Sequence, residues 1–282
     1  MKAIVVGPTP LTPSEPLAEP GASRRAAAEE ALLVHGNDLC AGFYLPLAEA
    51  LARRGFRTAL ITLPGFHREP PHDPPSLGAL VDDVVGALAA HVPAGGTLIG
   101  HSLGGLLAFL AAARRPPEVR RLVLLEPAIA PLALLARIAG RKYAREVVGG
   151  DRETFSNWSG MFFRVADPAA YPRAAIDLYL EVRRTSDRAT QAAIFRDLPS
   201  IYPLPFAAVP VPTLLLRGAA TGWRARVATA FLARRLRHVT VDVVPGAAHW
   251  IANERDEEAA RRIAEFVPGP GPAAGRSWPD PI

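Results

Sequence analysis

Short hydrophobic runs typical of β-strands alternate along this chain with longer stretches that have the spacing of amphipathic or buried helices. The predicted strands are Ala31–His35, Thr58–Thr62, Thr97–Gly100, Leu122–Leu125, Thr213–Leu216 and Val239–Val244. A further run near the start, Lys2–Val6, is a candidate first strand. Such alternation predicts a parallel sheet flanked by helices.

The spacing of the predicted strands is broken once, by residues 128–206. This insertion holds most of the chain's tyrosines, and its stretch Ala174–Arg184 has the pattern of an amphipathic helix. Two interpretations are open: a second small core, or a lid whose apolar underside forms the wall of a substrate pocket. The two ends, residues 8–20 and 268–282, hold five prolines each, so both are predicted to be irregular.

Composition narrows the class of protein. The chain has 282 residues, of which 49% are hydrophobic, enough for one large α/β core with an insertion. Its formal net charge is +5, but all except two of the 32 basic residues are arginines, and these are scattered in pairs. Because no long basic run exists, we expect no nucleic-acid partner.

Cysteine usage and hydropathy bear on location. Cys40 is the only cysteine, which excludes an internal disulfide and favours the reduced cytoplasm. The apolar run Ala3–Val6 is too short for the centre of a signal peptide. The most apolar stretch, residues 122–136, is short and is interrupted by Glu126 and two prolines, so we expect no membrane span.

The pentapeptide Gly100-His101-Ser102-Leu103-Gly104 is typical of a serine held on a sharp turn from a strand to a helix. A predicted strand precedes it, and the Leu- and Ala-rich run Leu103–Ala113 predicts the helix that follows. Glycines at both ends leave room where the two backbones crowd together. The alternative is a serine in an ordinary glycine-rich turn, but the flanking elements favour a nucleophile.

A serine nucleophile needs a base, and the base needs a carboxylate that orients it. Proteins with this turn carry serine, acid and histidine in that order along the chain. Only His249 follows the last predicted strand, in a loop of small residues, so it is the predicted base. The other six histidines are expected to be structural or solvated: His35, His67, His72, His91, His101 and His238.

Four motifs together resemble the α/β-hydrolase superfamily from about Ala31 to Val267: His35-Gly36-Asn37-Asp38, Leu63-Pro64-Gly65, the turn around Ser102, and Gly246-Ala247-Ala248-His249-Trp250. The resemblance implies an α/β-hydrolase fold, with a mostly parallel sheet flanked by helices and a helical cap insertion. The implied division is a core of residues 1–127 and 207–267, a cap (lid) of residues 128–206, and a proline- and glycine-rich tail of residues 268–282.

The chain departs from this superfamily at the acid. Most members carry an aspartate in the loop after the strand that here is Thr213–Leu216, but residues 198–241 contain neither Asp nor Glu. Glu126, directly after the strand Leu122–Leu125, stands where some haloalkane dehalogenases carry their acid, although their nucleophile is an aspartate. A carboxylate at the end of a neighbouring parallel strand points into the same crevice as the serine turn.

Other roles for acidic residues stay open at this point. Glu126 alternatively caps a turn before Pro127, and Asp151 and Asp187 are weaker candidates for the acid. Three further aspartates, Asp82, Asp83 and Asp242, are expected to be structural.

Acyl transfer also needs hydrogen-bond donors for the oxyanion. The backbone N–H of Leu103, at the helix start, is one predicted donor. The resemblance implies that Asn37 supplies another, the alternative being a plain turn residue. Asp38 is expected to point away from the oxyanion.

Metal and cofactor chemistry find little support in the sequence. His67 and His72 lie in a proline-rich loop without a clear third ligand, so no metal site is predicted. Cys40 has no apparent base nearby and is interpreted as packing.

These residues predict a cofactor-free serine hydrolase that acts on small-molecule carboxylic esters, with an acyl-enzyme on Ser102, His249 as base and Glu126 as acid. Two alternatives are open: cleavage of a C–C bond, thioester or lactone or an acyl transfer on the same triad, and a ligand-binding relative without turnover. The apolar insertion favours an uncharged or aromatic acyl group, whereas the arginines Arg164, Arg183 and Arg184 would suit a carboxylate.

Overall fold

Seven strands form one sheet in the computed structural model, which describes residues 1–8, 28–114, 116–129 and 172–267. In chain order they are β1 (Lys2–Val6), β2 (Glu29–Val34), β3 (Phe56–Thr62), β4 (Gly96–His101), β5 (Val119–Leu125), β6 (Thr213–Gly218) and β7 (Val239–Val244). Their spatial order is β1-β3-β2-β4-β5-β6-β7. Only the edge strand β1 is antiparallel to its neighbour, so the predicted mostly parallel sheet is confirmed.

Helices cover both faces of this sheet. In the described residues they are α1 (Leu45–Ala52), α2 (Leu77–His91), α3 (Leu103–Ala113), α4 (Arg173–Thr185), α5 (Arg188–Asp197), α6 (Trp223–Arg235), α7 (Ile251–Glu254) and α8 (Asp256–Phe266). Short 3-10 turns lie at Ala41–Tyr44, Leu198–Ile201 and Phe206–Ala208. None of the helices in these ranges combines the length and the apolar character needed to cross a bilayer.

Side chains along a strand alternate between two hydrophobic clusters. Leu32 and Val34 of β2 pack on the side of α2 and α3, whereas Ala31 and Leu33 pack on the side of α1 and α8. Because both faces are covered, the central strands are continuous apolar runs, which is why they are visible in the sequence.

Four strands, β2 to β5, begin earlier than the hydrophobic pattern predicts, and β5 differs most. β5 starts at Val119 and includes Arg120, which is exposed, and Arg121, which is half-buried. Arg121 forms an ion pair of 3.0 Å with Glu29 of β2. Such ion pairs allow charged side chains to be part of a strand near its end. Hydropathy alone does not reveal these pairs.

The insertion is described only in part, at residues 128–129 and 172–206. There α4 covers the predicted amphipathic helix Ala174–Arg184. Asp151 and Arg164, and most of the two proline-rich ends, lie outside the described residues.

The α4–α5 corner of the insertion is fastened to the loop after β3. The Asp187 N–H donates to the Gly65 carbonyl at 2.7 Å, and the His67 N–H donates to Ser186 Oγ at 3.3 Å. The Arg68 N–H donates to the Thr185 carbonyl at 3.4 Å. This part of the insertion is therefore held against the core by backbone as well as side-chain contacts.

At Gly104, helix α3 packs closely against the backbone of β2, and this contact leads to a prediction about stability. A Cβ on Gly104 would lie 2.2 Å from the Val34 carbonyl oxygen, a backbone atom that cannot rotate away. We expect Gly104→Ala to lower the free energy of unfolding by about 3 kcal/mol, as overpacking against a rigid neighbour does. Urea unfolding followed by circular dichroism measures the change.

A matched control for this variant lies in α2, where Gly86 is exposed and a Cβ would meet no atom within 4 Å. Gly86→Ala is expected to stabilise the protein by roughly 0.5–1 kcal/mol, since alanine favours a helix interior. Equal unfolding midpoints for the two variants would contradict the close approach at Gly104.

Candidate active site

Ser102 lies on the turn between β4 and α3, at the edge where the parallel strands end. Its φ of 52° lies in the left-handed region that a non-glycine residue rarely adopts. The turn is held from β5, because the Ser102 N–H donates to the Leu125 carbonyl at 3.0 Å and the Ser102 carbonyl accepts from the Ala128 N–H at 2.8 Å. Such strain persists only where the surroundings enforce it, and it clusters at functional sites.

His249 lies in the loop between β7 and α7. Its side chain and that of Ser102 line one cavity, so the two predicted partners lie at the same site although they are far apart in the sequence. The other residues that line the cavity come from two loops, from the end of β4 and from α4: Asn37, Leu39, His101, Tyr179 and Trp250. Tyr179 and Trp250 meet edge to face with ring centroids 5.0 Å apart.

Glu126 follows β5 directly and also has a positive φ, of 45°. Its carboxylate is buried, and Oε1 accepts hydrogen bonds from the Gly218 N–H at 2.8 Å and the Thr221 hydroxyl at 2.7 Å. Oε2 lies 3.6 Å from His249 Nδ1, within ion-pair distance and slightly beyond a hydrogen bond. The loop after β6 has no carboxylate of its own, but it supplies two hydrogen-bond donors to the carboxylate of Glu126.

The other described candidate acids have different partners. Asp187 caps α5 by accepting from the Thr190 N–H at 2.6 Å. Asp242 pairs with Arg262, Asp82 pairs with Arg114, and Asp83 lies 2.7 Å from His72 Nε2. Each of these aspartates has a structural contact, which is the role predicted for Asp82, Asp83 and Asp242 from the sequence.

Leu103 is the first residue of α3, and the first N–H groups of a helix have no acceptor within it. The positive end of the helix dipole therefore lies at the serine turn. This location suits a developing negative charge on a bound substrate.

Asn37 lies in the turn after β2, on a peptide whose orientation is set by His35. The Leu63 N–H donates to His35 Nε2 at 3.0 Å, which assigns the ring proton to Nδ1, and that nitrogen lies 2.7 Å from the Gly36 carbonyl. Because a trans peptide points its N–H opposite to its C=O, the Asn37 N–H is directed away from His35. Burial lowers the pKa of His35 to about 4, so the ring stays neutral.

Asp38 is buried and has a φ of 56°. The Gln191 side-chain amide of α5 donates to one carboxylate oxygen, and the Asn37 side-chain amide donates to the other at 3.1 Å. Burial raises the pKa of Asp38 to about 6, and the charge of Arg183 opposes that rise. Asp38 is therefore a bridge from the Asn37 turn to the insertion.

Arg183, a candidate to hold a substrate carboxylate, lies near this same carboxylate. Its guanidinium also lies over the Tyr179 ring, 5.6 Å from the centroid. The positive charge of Arg183 therefore lies close to two groups of the protein itself, the Tyr179 ring and the Asp38 carboxyl.

The two histidines considered for a metal have separate partners: His67 Nε2 lies 3.7 Å from Glu181, and His72 pairs with Asp83. Within the described ranges, no group of three or more His, Cys, Asp or Glu side chains could hold a metal ion. Cys40 is a buried free thiol whose pKa is raised by burial.

Three polar residues at the site were not found by sequence reasoning: Tyr44, Gln191 and Thr221. Thr221 carried a usable signal, because it lies in the loop where the superfamily's usual acid is missing and where another polar group was to be expected. Tyr44 and Gln191 carried none, since neither lies in a recognisable motif.

A family model described as alpha/beta hydrolase family matches residues 31–262. Over 95 residues the chain is 40% identical to a pimeloyl-(acyl-carrier protein) methyl ester esterase of Chromobacterium violaceum, a match of 34% of this chain and 35% of that protein. The alignment thus spans only about a third of that curated relative. With an sn-1-specific diacylglycerol lipase of Mus musculus, identity is 25% over 234 residues, or 78% and 75% of the two chains.

Among solved structures, a thermophilic esterase from Thermogutta terrifontis superposes with a TM-score of 0.73. The superposition covers 94% of this chain and 92% of that one, at 21% sequence identity. At this identity the likeness shows a shared fold.

Proposed function

This chain belongs to the alpha/beta hydrolase family, and from that premise we propose that it is a serine hydrolase that cleaves carboxylic esters of small molecules. One observation carries the proposal. Ser102 on its strained turn and the His249 ring line the same cavity, and the buried Glu126 carboxylate lies 3.6 Å from Nδ1 of that ring.

In the proposed reaction, His249 Nε2 takes the proton from Ser102 Oγ as the oxygen attacks the ester carbonyl. The tetrahedral oxyanion accepts hydrogen bonds from the backbone N–H groups of Leu103 and Asn37. The intermediate expels the alcohol, which takes the proton from His249, and an acyl-enzyme remains. A water molecule deprotonated by His249 then attacks the acyl carbon, and Ser102 leaves with its proton restored.

Glu126 holds the imidazole in the tautomer that leaves Nε2 free to accept a proton, and its charge stabilises the imidazolium that forms. The two donors on Oε1 support this role. They fix the orientation of the carboxylate beside the His249 ring.

Apolar side chains of the cavity, Leu39, Tyr179 and Trp250, support an uncharged acyl group of modest size. Arg183 faces Asp38 and the Tyr179 ring, which argues against its holding a substrate carboxylate. The two curated relatives are named for a methyl ester and a diacylglycerol, and both names support an ester as the bond cleaved.

Hydrolysis by this route needs no cofactor, because the base, the acid and the oxyanion donors are all groups of the protein. The reduced cytoplasm is the location we propose, on the ground that the chain's lone cysteine is a buried free thiol.

A panel of chromogenic esters tests the function. We expect saturable hydrolysis of neutral short-chain acyl esters, at a higher kcat/KM than half-esters of dicarboxylic acids of equal length. Absence of turnover on every ester, with tight binding of the same compounds in calorimetry, would favour a binding protein and overturn the proposal. A preference for the charged acyl groups would overturn the substrate class.

Thr221 provides a narrower prediction. Thr221→Val keeps the shape of the side chain but removes one of the two donors that hold Glu126 Oε1. We expect kcat to fall about tenfold, which corresponds to the ~1.5 kcal/mol that a hydrogen bond to a charged group contributes. Thr221→Ser keeps the hydroxyl and is expected to retain most of the activity. An equal loss in both variants would show that packing, not the hydrogen bond, is responsible.

A further inference from the structure

A network of buried hydrogen bonds joins the loops around the cavity and includes His101, one of the residues that line it. The Gly36 N–H donates to the Tyr44 hydroxyl oxygen at 3.0 Å. That oxygen lies 2.6 Å from His101 Nδ1, and His101 Nε2 lies 2.8 Å from the carbonyl oxygen of His249. Neither Tyr44 nor His101 is used in the proposed reaction, and both side chains are almost fully buried.

The direction of every bond in this network follows from chemistry. A carbonyl oxygen only accepts, so His101 Nε2 carries the ring proton and Nδ1 is an acceptor. The Tyr44 hydroxyl must therefore donate to Nδ1, and its oxygen accepts from the Gly36 N–H. Every donor and acceptor named is satisfied, with His101 neutral.

The two ends of this hydrogen-bond network hold the oxyanion turn and the loop of the base, which the proposed reaction needs at a fixed separation. At one end, the Gly36 N–H is anchored by Tyr44 while its carbonyl is anchored by His35, which fixes the peptide that bears the Asn37 N–H. At the other end, the bond from His101 fixes the backbone of His249. The middle member of this hydrogen-bond network is His101, the residue directly before Ser102.

We propose that Tyr44 and His101 are positioning residues that couple the oxyanion turn at Asn37 to the loop of the base His249, across the serine turn. The inference rests on the proposed function, since it assigns these residues a role in that same reaction.

Neutrality of His101 matters because its ring centroid lies 4.8 Å from that of His249. A positive charge on His101 would oppose the imidazolium that forms on His249 during catalysis. Burial lowers the pKa of His101 well below its ordinary value, and the positive charge of a protonated His249 lowers it further. Around this ring the described titratable neighbours are Tyr44, His249 and His35, and none of them supplies a negative charge at neutral pH that would favour protonation.

Removal of the Tyr44 hydroxyl provides the test. Tyr44→Phe leaves the Gly36 N–H without an acceptor and His101 Nδ1 without a donor. We expect kcat to fall about 10- to 100-fold, as displaced reacting groups cause, with KM changed less than about twofold. Tyr202→Phe, the same chemical change outside this hydrogen-bond network, is the matched control and is expected to retain full activity.

A double-mutant cycle separates positioning from loss of fold. His101→Leu removes both hydrogen bonds of the ring, and its loss in kcat is expected to be non-additive with that of Tyr44→Phe, because both break one network. His101→Gln keeps an N–H for the His249 carbonyl and is expected to recover part of the activity. An active wild type with unchanged kcat in Tyr44→Phe would overturn this inference and leave the proposed function intact.

Nitrogen NMR of protein with isotope-labelled histidines reports the tautomer and charge of His101, and this measurement does not depend on ester turnover. His101 is expected to carry its proton on Nε2 and to be neutral at neutral pH, because burial lowers its pKa well below the ordinary value. A proton on Nδ1, or a charged ring at neutral pH, would overturn the inference even if the protein cleaved no ester. An inactive wild type with the expected His101 signal would overturn the proposed function, and with it the positioning role that rests on it, but would leave the hydrogen-bond network itself standing.

Discussion

Ser102→Ala is expected to reduce ester turnover by about 10⁴-fold or more, because Ser102 Oγ is the nucleophile of the proposed reaction. The variant removes a single oxygen atom and leaves the helix start and the Asn37 turn in place. Alanine at φ 52° carries the same backbone strain as serine, so the unfolding midpoint is expected to change little. Steady-state kinetics on a neutral short-chain ester measure the loss.

A fluorophosphonate probe gives an independent measurement of the same residue. The wild type is expected to be labelled covalently and Ser102→Ala is not. Ser200, an exposed serine after α5, provides the control, and Ser200→Ala should be labelled like the wild type. Equal labelling of the wild type and Ser102→Ala would mean that the nucleophile is another residue.

Glu126→Gln is expected to reduce kcat by about 10³- to 10⁴-fold, the size of effect seen when a triad acid becomes an amide. The Gln carbonyl can still accept from the Gly218 N–H and the Thr221 hydroxyl, which turns the amide NH₂ toward His249 Nδ1. That nitrogen must then accept, so the ring proton moves to Nε2 and the base can no longer take the proton of Ser102. Kinetics together with the His249 NMR signal measure both the loss and the change of tautomer.

Two further substitutions at acidic residues serve as controls for Glu126→Gln. Glu126→Asp keeps the charge but shortens the side chain, so its loss is expected to be smaller than that of Glu126→Gln. Asp187→Asn alters a helix cap of the insertion that was a weaker candidate for the acid. Near wild-type turnover in Glu126→Gln with a large loss in Asp187→Asn would place the acid in the insertion.

The fold was predictable because it is encoded locally. Continuous apolar runs mark strands that are buried on both faces, and the alternation of strands with helices predicts the parallel sheet that the structure confirms. The boundaries were less predictable where charged residues extend a strand, as Arg121 does in β5 through its pair with Glu29.

The candidate site was predictable where a residue type is tied to a backbone turn. The turn at Ser102 needs small residues on both sides, and a Cβ on Gly100 would lie 2.3 Å from the Gly104 carbonyl oxygen, so the pattern shows in the sequence. Glu126 was inferred from the absence of any carboxylate in the usual loop together with its place at a strand end. Its role as the acid stays a prediction, and the distance of 3.6 Å to His249 supports it.

Local sequence pattern was enough to predict the order of strands and helices, the serine turn and the candidate side chains proposed to act with it. Each of these depends on hydrophobic periodicity or on backbone space within a few neighbouring residues. The polar groups that hold those side chains became known only from the packing of the loops in three dimensions. Thr221 meets Glu126 across 95 positions, and Tyr44 meets His101 across 57. Hydrogen bonds are short and directional, so these partners are set by how the loops pack at the edge of the sheet, and no local pattern records that packing.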